Sequence, residues 1–337
     1  VRVLIVKLSS LGDVVHAMPA VQDLFRARPD ASIDWAVEPA FAPLVRRVQG
    51  VAHVIETPFR RWRRGMFKPA TWAEWRAWQA TLRQLPYDAI IDLQGLTKSA
   101  LVARLARGER YGLAHATDGS SWEPPARWWV QHPLSVPRHV HAVERSRLIV
   151  AQVLGSDATL APHYGLRLKS GLPGTGAPQA AAPEVVFVHG SSRPDKAWPT
   201  ANWLDLGRRF LQQGWRIGLP QGSDAEADWA ASLAQNLAQA LPEAERGRIT
   251  VWPRLSLDAL LDRMAACQGV IGVDSGLSHL AVALDLPHVQ IYNWPTAWRT
   301  GPPEAAAGSE AVRQLAVFAE PTPSVQAVET AWKQVWA

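Results

Sequence analysis

GLRLKSGLPGTGAPQAAAPEVVFVHG, residues 165–190, carries the break on which the architecture turns. Its middle, GLPGTGAPQAAAP (171–183), is glycine, proline and alanine without apolar periodicity, the composition of a linker. Its end, EVVFVHG, is a continuous apolar run of the kind buried on both faces of a parallel sheet. Before the break, strand-like RVLIVK, IDWAV, VAHVIE and DAIIDL alternate with helical patterns over residues 14–27, 70–84 and 97–107. In the first of these helices Val14, Met18, Val21 and Phe25 recur on one face. After the break the alternation restarts: EVVFVHG, the helix TANWLDLGRRFLQQG, WRIGLP, a helix near 224–240, RITVW, the helix SLDALLDRMAAC, GVIGVD, a short helix and HVQIY. In the closing stretch SVQAVETAWKQVWA, Val325, Val328, Trp332 and Val335 share a face and need something to pack against.

Such alternation implies α/β domains, each a mainly parallel, doubly wound sheet with helices on both faces. At 337 residues the chain is also longer than one hydrophobic core usually supports. The expected division is a first domain over 1–165, a linker over 166–183, a second domain over 184–323 and a last helix over 324–337 that can pack back on the first domain. Two Rossmann-like domains so joined are expected to face a central cleft, because ligands of open α/β sheets bind at the carboxyl ends of the strands.

Composition narrows the function. With 47% hydrophobic and 19% charged residues the chain is an ordinary globular sequence. No apolar run reaches the roughly 18 residues of a spanning helix, and Arg2–Lys7 reads as a strand rather than a signal segment, so the expectation is a cytoplasmic protein. The single cysteine, Cys267, excludes an intrachain disulfide and reads as a small core residue. A net charge of +5 favours anionic partners: nucleic acid, nucleotide or an anionic bilayer. The 17 tryptophans are unusual, and those beside arginine in RRWRRGMF and PPARWWV suit carbohydrate, lipid or a base.

Several motifs lie just past predicted strands. VIGVDSGLSHLAVAL (270–284) ends a strand at Asp274 and opens a helix at Ser275 and Gly276, whose free amides suit a phosphate, with His279 one turn in. The same residues also read as a helix cap and a packed histidine. In VVFVHGSSRPDKAWP (185–199), Ser191 and Ser192 offer hydroxyls and Lys196 a cation for a diphosphate, or the stretch is a solvated loop. Glu226, after another strand, suits the two hydroxyls of a ribose. RRWRRGMFK (60–68) gathers Arg60, Arg61, Arg63, Arg64 and Lys68 around Trp62, either a solvated face or a site for phosphates and carboxylates. No RNA-binding module accompanies the cluster. VKLSSLGDVVHAMPA (6–20) places Asp13 at the first strand-to-helix turn, where it would repel a phosphate; it reads as a helix cap or as a base. His139 and His141 lack the acidic or thiol neighbours of a metal site. The only near match to a dinucleotide fingerprint, GLPGTG, lies in the linker, which argues against a dehydrogenase.

VKLSSLGDVVHAMPA, RRWRRGMF, IIDLQGLTKSA, HAVERSR, HGSSRPDKAWP and VDSGLSHLAVAL, in this order, resemble the heptosyltransferases of glycosyltransferase family 9. The resemblance implies a GT-B fold with an acceptor-binding first domain and a donor-binding second domain. The implied reaction moves L-glycero-D-manno-heptose from ADP-heptose to the first Kdo of Kdo-bearing lipid A, with inversion, without metal or other cofactor, and without nucleic acid. Asp13 falls on the family's general base. Lys196, Glu226, Asp274, Ser275, Gly276 and His279 fall on donor positions; Ser191 and Ser192 stand where relatives have threonines, and Leu255 where a relative has methionine beside adenine. Ser10, Gly12, Arg60, Arg61, Arg63, Arg64, Gln94 and Lys98 fall on the acceptor side. The implied location is the cytoplasmic face of the inner membrane, in peripheral contact. Asn293 and Trp294 depart from the family's usual Gly before Pro295 and Thr296, and ATDGSSWEPPARWW is hard to align. A family 9 enzyme with another donor or acceptor, or a non-catalytic protein binding nucleotide or anionic glycolipid, would use the same residues.

Overall fold

The computed structural model describes residues 1–156, 158, 160–169, 182–191, 193–239, 241–303 and 312–337. Ser192 and most of the expected linker, 170–181, therefore lie outside the described residues. The chain divides into two compact units, Val1–Arg167 and Leu168–Ala337.

In the first unit the order is β1 (Arg2–Val6), α1 (Leu11–Ala27), β2 (Ser32–Val37), α2 (Ala42–Val45), β3 (Val51–Glu56), α3 (Phe59–Arg64), α4 (Pro69–Leu82), β4 (Tyr87–Asp92), α5 (Thr97–Leu105), β5 (Gly108–Leu113), β6 (His132–Leu134) and α6 (Ala142–Leu154). The second unit runs β7 (Glu184–Val188), α7 (Thr200–Gln212), β8 (Arg216–Leu219), α8 (Asp224–Ala238), β9 (Ile249–Val251), α9 (Leu257–Ala265), β10 (Gly269–Val273), α10 (Gly276–Ala283), β11 (His288–Tyr292), α11 (Ala297–Thr300), β12 (Gln314–Phe318) and α12 (Val325–Trp336).

Both sheets are parallel throughout their named strands, in the orders β3-β2-β1-β4-β5-β6 and β12-β11-β10-β7-β8-β9. Counted from its own first strand, the second sheet repeats the 3-2-1-4-5-6 order of the first. In each, the chain reverses direction across the sheet between its first and fourth strands, and there a crevice opens beyond the carboxyl ends. The crevices lie between β1 and β4, and between β7 and β10.

The runs read as buried strands are buried because helices cover both faces. Leu4, Ile5 and Val6 of β1 and Val185, Val186 and Phe187 of β7 are fully enclosed. Helix α1 packs on α6, and α12 packs on β11, β12 and α7. Val328, Trp332 and Val335 thus enter the core of the second unit with Phe210, Trp215 and Ile271, where the sequence had left packing on the first domain open. Gly272 is where α10 presses on β10: a Cβ there would lie 2.5 Å from Ser278 Oγ and 2.8 Å from Val188 Cβ. Cys267 is a buried thiol pushed up to about 12, burial being the main cause, which leaves it inert near neutrality. Among the described residues no helix is long and apolar enough to cross a membrane.

Candidate active site

The crevice of the first unit is built on a buried lysine. Lys7 follows β1, is 2% exposed, and donates from Nζ to the Leu93 carbonyl at 2.9 Å, with Asp13 Oδ1 at 3.5 Å. Asp13 is the third residue of α1, and Ser10 is its N-cap. The Ser10 backbone N–H and hydroxyl both donate to Asp13 Oδ2, at 3.0 and 2.9 Å. Asp13 therefore does not cap the helix itself; it fixes the capping residue, and its side chain stays 43% exposed. Burial works to raise the Asp13 carboxyl, but the Lys7 ammonium and the two bonds from Ser10 outweigh it and hold the group below its ordinary value. The same burial lowers Lys7, against the pull of Asp13.

From the loop after β4 and from α5, Gln94 and Lys98 brace this turn. Gln94 accepts from Leu8 N–H at 2.7 Å and donates to the Ser9 carbonyl at 2.8 Å, so both ends of its amide hold the main chain. Lys98 donates to Ser9 Oγ at 2.9 Å and lies half-buried, its ammonium lowered mainly by burial. Gly12 is enclosed in the first turn of α1.

The arginine run folds into α3, and its periodicity separates residues that look alike in sequence. Trp62 turns inward, 5% exposed, with its ring centroid 5.0 Å from Trp75 and 5.2 Å from Trp78. Arg60, Arg63, Arg64, Lys98 and Glu38 line a cavity of about 760 Å3. Arg61 is placed elsewhere: it pairs with Glu74 of α4 and does not line that cavity.

The crevice of the second unit holds an ion pair of the opposite character. Asp274, at the end of β10 and 5% exposed, receives Lys196 Nζ on Oδ2 at 2.6 Å and faces His279 Nε2 from Oδ1 at 3.3 Å. Burial again opposes the charge, yet His279 and Lys196 hold the carboxyl far below its ordinary value. Ser275 stands at the N-cap of α10, but its side chain caps nothing and its buried hydroxyl has no hydrogen-bond partner among the described residues. The first-turn amides from Gly276 onward are thus left for a ligand, as an anion site requires. Ser191 Oγ donates to the Asp274 carbonyl at 3.4 Å.

Lys196 sits on a one-turn helix, Pro194–Lys196, that Asn293 holds in place. Asn293 Nδ2 donates to the Asp195 and Ala197 carbonyls at 3.0 and 2.9 Å, and its Oδ1 accepts from Thr322 at 2.8 Å. The departure at Asn293 is therefore a clamp on the loop that carries the cation. A cavity of about 290 Å3 lies here, lined by Lys196, Asp274, Tyr292, Trp294, Thr296 and Arg299 among others. Glu226 lies to one side, on α8, where it accepts from Gly222 N–H at 2.6 Å; a Cβ on Gly190 would meet it at 2.4 Å. Leu255 is half-buried in the loop between β9 and α9.

The crevices thus gather Ser10, Asp13, Gln94 and Lys98 in one unit and Ser191, Lys196, Asp274, Ser275 and His279 in the other. Four contributors lie outside the residues that the sequence assigns to a site: Lys7, Asn293, Thr296 and Arg299. Lys7 left a signal, a cation closing the apolar run VLIV, and Asn293 left another, a departure from the family's usual glycine. His139 and His141 have structural surroundings instead: His139 lies 3.4 Å from Asp118, and His141 caps α6 by accepting from Val143 N–H at 3.2 Å.

The family description "Glycosyltransferase family 9 (heptosyltransferase)" matches residues 75–326. Lipopolysaccharide heptosyltransferase 1 of Pseudomonas aeruginosa is 38% identical over 297 residues, 86% of this chain and 78% of that one. Its Escherichia coli counterpart is 37% identical over 299 residues, 86% and 87% of the two chains. The structure of E. coli heptosyltransferase WaaC with ADP superposes with a TM-score of 0.84 at 32% identity, over 99% of this chain and 100% of that one. WaaC with ADP-2-deoxy-2-fluoro heptose gives 0.79 at 32% identity, over 98% of each. The doubly wound α/β units are of the GT-B type, the protein is an enzyme, and the chain belongs to glycosyltransferase family 9, the heptosyltransferases.

Proposed function

We propose that this enzyme moves L-glycero-D-manno-heptose from ADP-heptose to a hydroxyl of the first Kdo of Kdo-bearing lipid A, in lipopolysaccharide inner-core synthesis, inverting the anomeric carbon. In the first unit Asp13 takes the proton of the acceptor hydroxyl as its oxygen bonds to the anomeric carbon; in the second, Lys196 and the α10 amides meet the charge on ADP as the glycosidic phosphate bond breaks. The observation that carries this reading is the state of Asp13: ionised near neutrality, 43% exposed, and fixed on both oxygens by Lys7 and Ser10. A carboxylate so held can serve as a base, a contribution of roughly a hundredfold to ten-thousandfold.

In the second unit the pairing of Lys196 with Asp274 keeps the cation beside the unused amides of α10, so a diphosphate entering there meets both. Ser191, Gly276 and His279 complete that donor site, with Glu226 for the ribose and Leu255 for adenine. Arg60, Arg63 and Arg64 are assigned to the acceptor's anionic groups, and the protein to peripheral contact with the inner membrane. The chemistry assigned to these side chains needs no metal, and turnover unchanged by a chelator is the expected result. The deciding assay measures ADP release from ADP-heptose with and without Kdo-bearing lipid A. Release that depends on the acceptor supports the reading; no release, or release indifferent to the acceptor, removes it.

A further inference from the structure

Glycosyl transfer calls for a base, a cation for the leaving group and polar partners for the sugars; nothing in it calls for an oily chamber. Yet a cavity of the first unit, about 760 Å3, is walled by Phe59, Trp62 and Trp75 of α3 and α4 and by Leu101 of α5. That volume falls within the range of small-molecule sites. Its mouth continues the apolar surface outward through Trp72 and Met66, 55% and 51% exposed, and the adjacent Phe67 is 92% exposed.

The rim has the opposite chemistry. Arg60, Arg63 and Arg64 line it, and none of the three guanidinium groups is in an ion pair among the described residues, whereas Arg61 next to them is paired with Glu74. Trp62 adds a buried Nε1 that has no hydrogen-bond partner among the described residues. Glu38, buried in the same lining, answers part of the charge of Arg60 and Lys98, but three guanidinium groups and a spare donor still outnumber it and call for anionic oxygens, while the wall calls for hydrocarbon. A sugar phosphate would answer only the rim, and a plain alkane only the wall.

We propose that this cavity takes the hydrocarbon chain of an anionic amphiphile, with its phosphate or carboxylate head on Arg60, Arg63 and Arg64. The proposal rests on the reading that the first unit receives the acceptor, and it specifies the part of the ligand that lies beyond the sugars. Two sources share this chemistry: an acyl chain of the acceptor itself, and a lipid of the surrounding bilayer.

Calorimetry with dodecyl phosphate below its micellar concentration, against inorganic phosphate, tests the site without any donor. Dodecyl phosphate should bind at least about tenfold more tightly, with a negative heat-capacity change. Leu101→Trp, which fills the chamber from α5 and leaves the arginines in place, should erase that gap while phosphate binding persists. Trp72→Ala, at an exposed position that the core does not need, should narrow it. Equal affinities for the two ligands, or a gap untouched by both variants, overturns the proposal.

The source follows from KM for acylated and fully deacylated acceptors. A higher KM for the deacylated form that disappears in Leu101→Trp assigns the chain to the acceptor. Equal KM values with the dodecyl phosphate gap intact assign it to neighbouring lipid. Because binding of dodecyl phosphate is read without ADP-heptose, loss of this proposal leaves heptosyl transfer standing, and the reverse holds too.

Discussion

Asp13 and Asp274 border the same kind of crevice, one in each unit, in sheets of identical strand order. Asp13 keeps a side chain 43% exposed and meets one buried lysine at 3.5 Å, whereas Asp274 is 5% exposed and lies within ion-pair distance of both Lys196 and His279. Both carboxyls are lowered, but for different ends. Asp13 is fixed yet open, so a proton can reach it. Asp274 is closed off by its partners and acts as a permanent anion that orients a cation. On the proposed reading one topology yields a reactive carboxylate and a structural one, and the difference lies in how many side chains close around each carboxyl.

The largest expected break in this comparison is Asp13→Ala. Turnover should fall by roughly two to four orders of magnitude, while calorimetric affinity for ADP stays at the wild-type value. Near-normal turnover in that variant would remove the distinction. Next comes Asp274→Ala, which leaves Lys196 without its partner and should cost about 3 kcal/mol of stability, read as a lowered Tm together with weakened ADP binding. If Tm is unchanged, Asp274 is no structural anion.

Acidification separates the units more gently. His189 and His288, both in the second unit, are pushed down to about 4, chiefly by burial, although Glu226 and the Pro220 carbonyl support the charge on His189 and the Val270 carbonyl supports it on His288. The ordinary imidazole value is 6.5, so between about 6.5 and 4 the unfolded chain binds more protons than the folded one. The stabilisation is complete above that window and is lost as pH falls through it, on the order of 2–3 kcal/mol per histidine. Scanning calorimetry at pH 7.5 and 4.5 should show Tm falling, and His288→Gln should flatten the trend; a Tm indifferent to pH speaks against it. The smallest effect is expected from Asn293→Gly, which releases the loop of Lys196. A loss of about 1 kcal/mol should appear as a several-fold weaker ADP affinity with Asp13-dependent chemistry intact.

What could be read from sequence depended on how local the cause was. The strands RVLIVK, DAIIDL, EVVFVHG and GVIGVD announce themselves because burial on both faces leaves continuous apolar runs, and β1, β4, β7 and β10 stand where those runs lie. The helices read over 14–27, 70–84 and 97–107 appear as Leu11–Ala27, Pro69–Leu82 and Thr97–Leu105. Strand β5, GERYGL, is hidden in the sequence because glycine and charge break its pattern, whereas β12 carries the short apolar run LAVF but sits at the sheet edge, only partly buried.

Site residues followed the same rule. Asp13 stood out by type and position, but the Lys7 that faces it is held by the Leu93 carbonyl just past β4, 86 residues later. The arginines at 60, 61, 63 and 64 are indistinguishable until α4 brings Glu74 to one of them. Asn293 looked like an irregularity because the carbonyls it holds lie 96 and 98 positions earlier.

The seating of α12 has a bearing on how the protein is made. The ring of Trp332 lies so close to the start of β10 that a Cβ on Gly269 would stand 2.6 Å from it, and Trp215 and Phe210 rest on the same indole. During synthesis, the first unit has all its named strands and helices by residue 154, whereas the second sheet keeps an oily flank bare until residues 325–336 emerge. A nascent chain halted before that helix would carry one finished half and one sticky one, a natural target for chaperones.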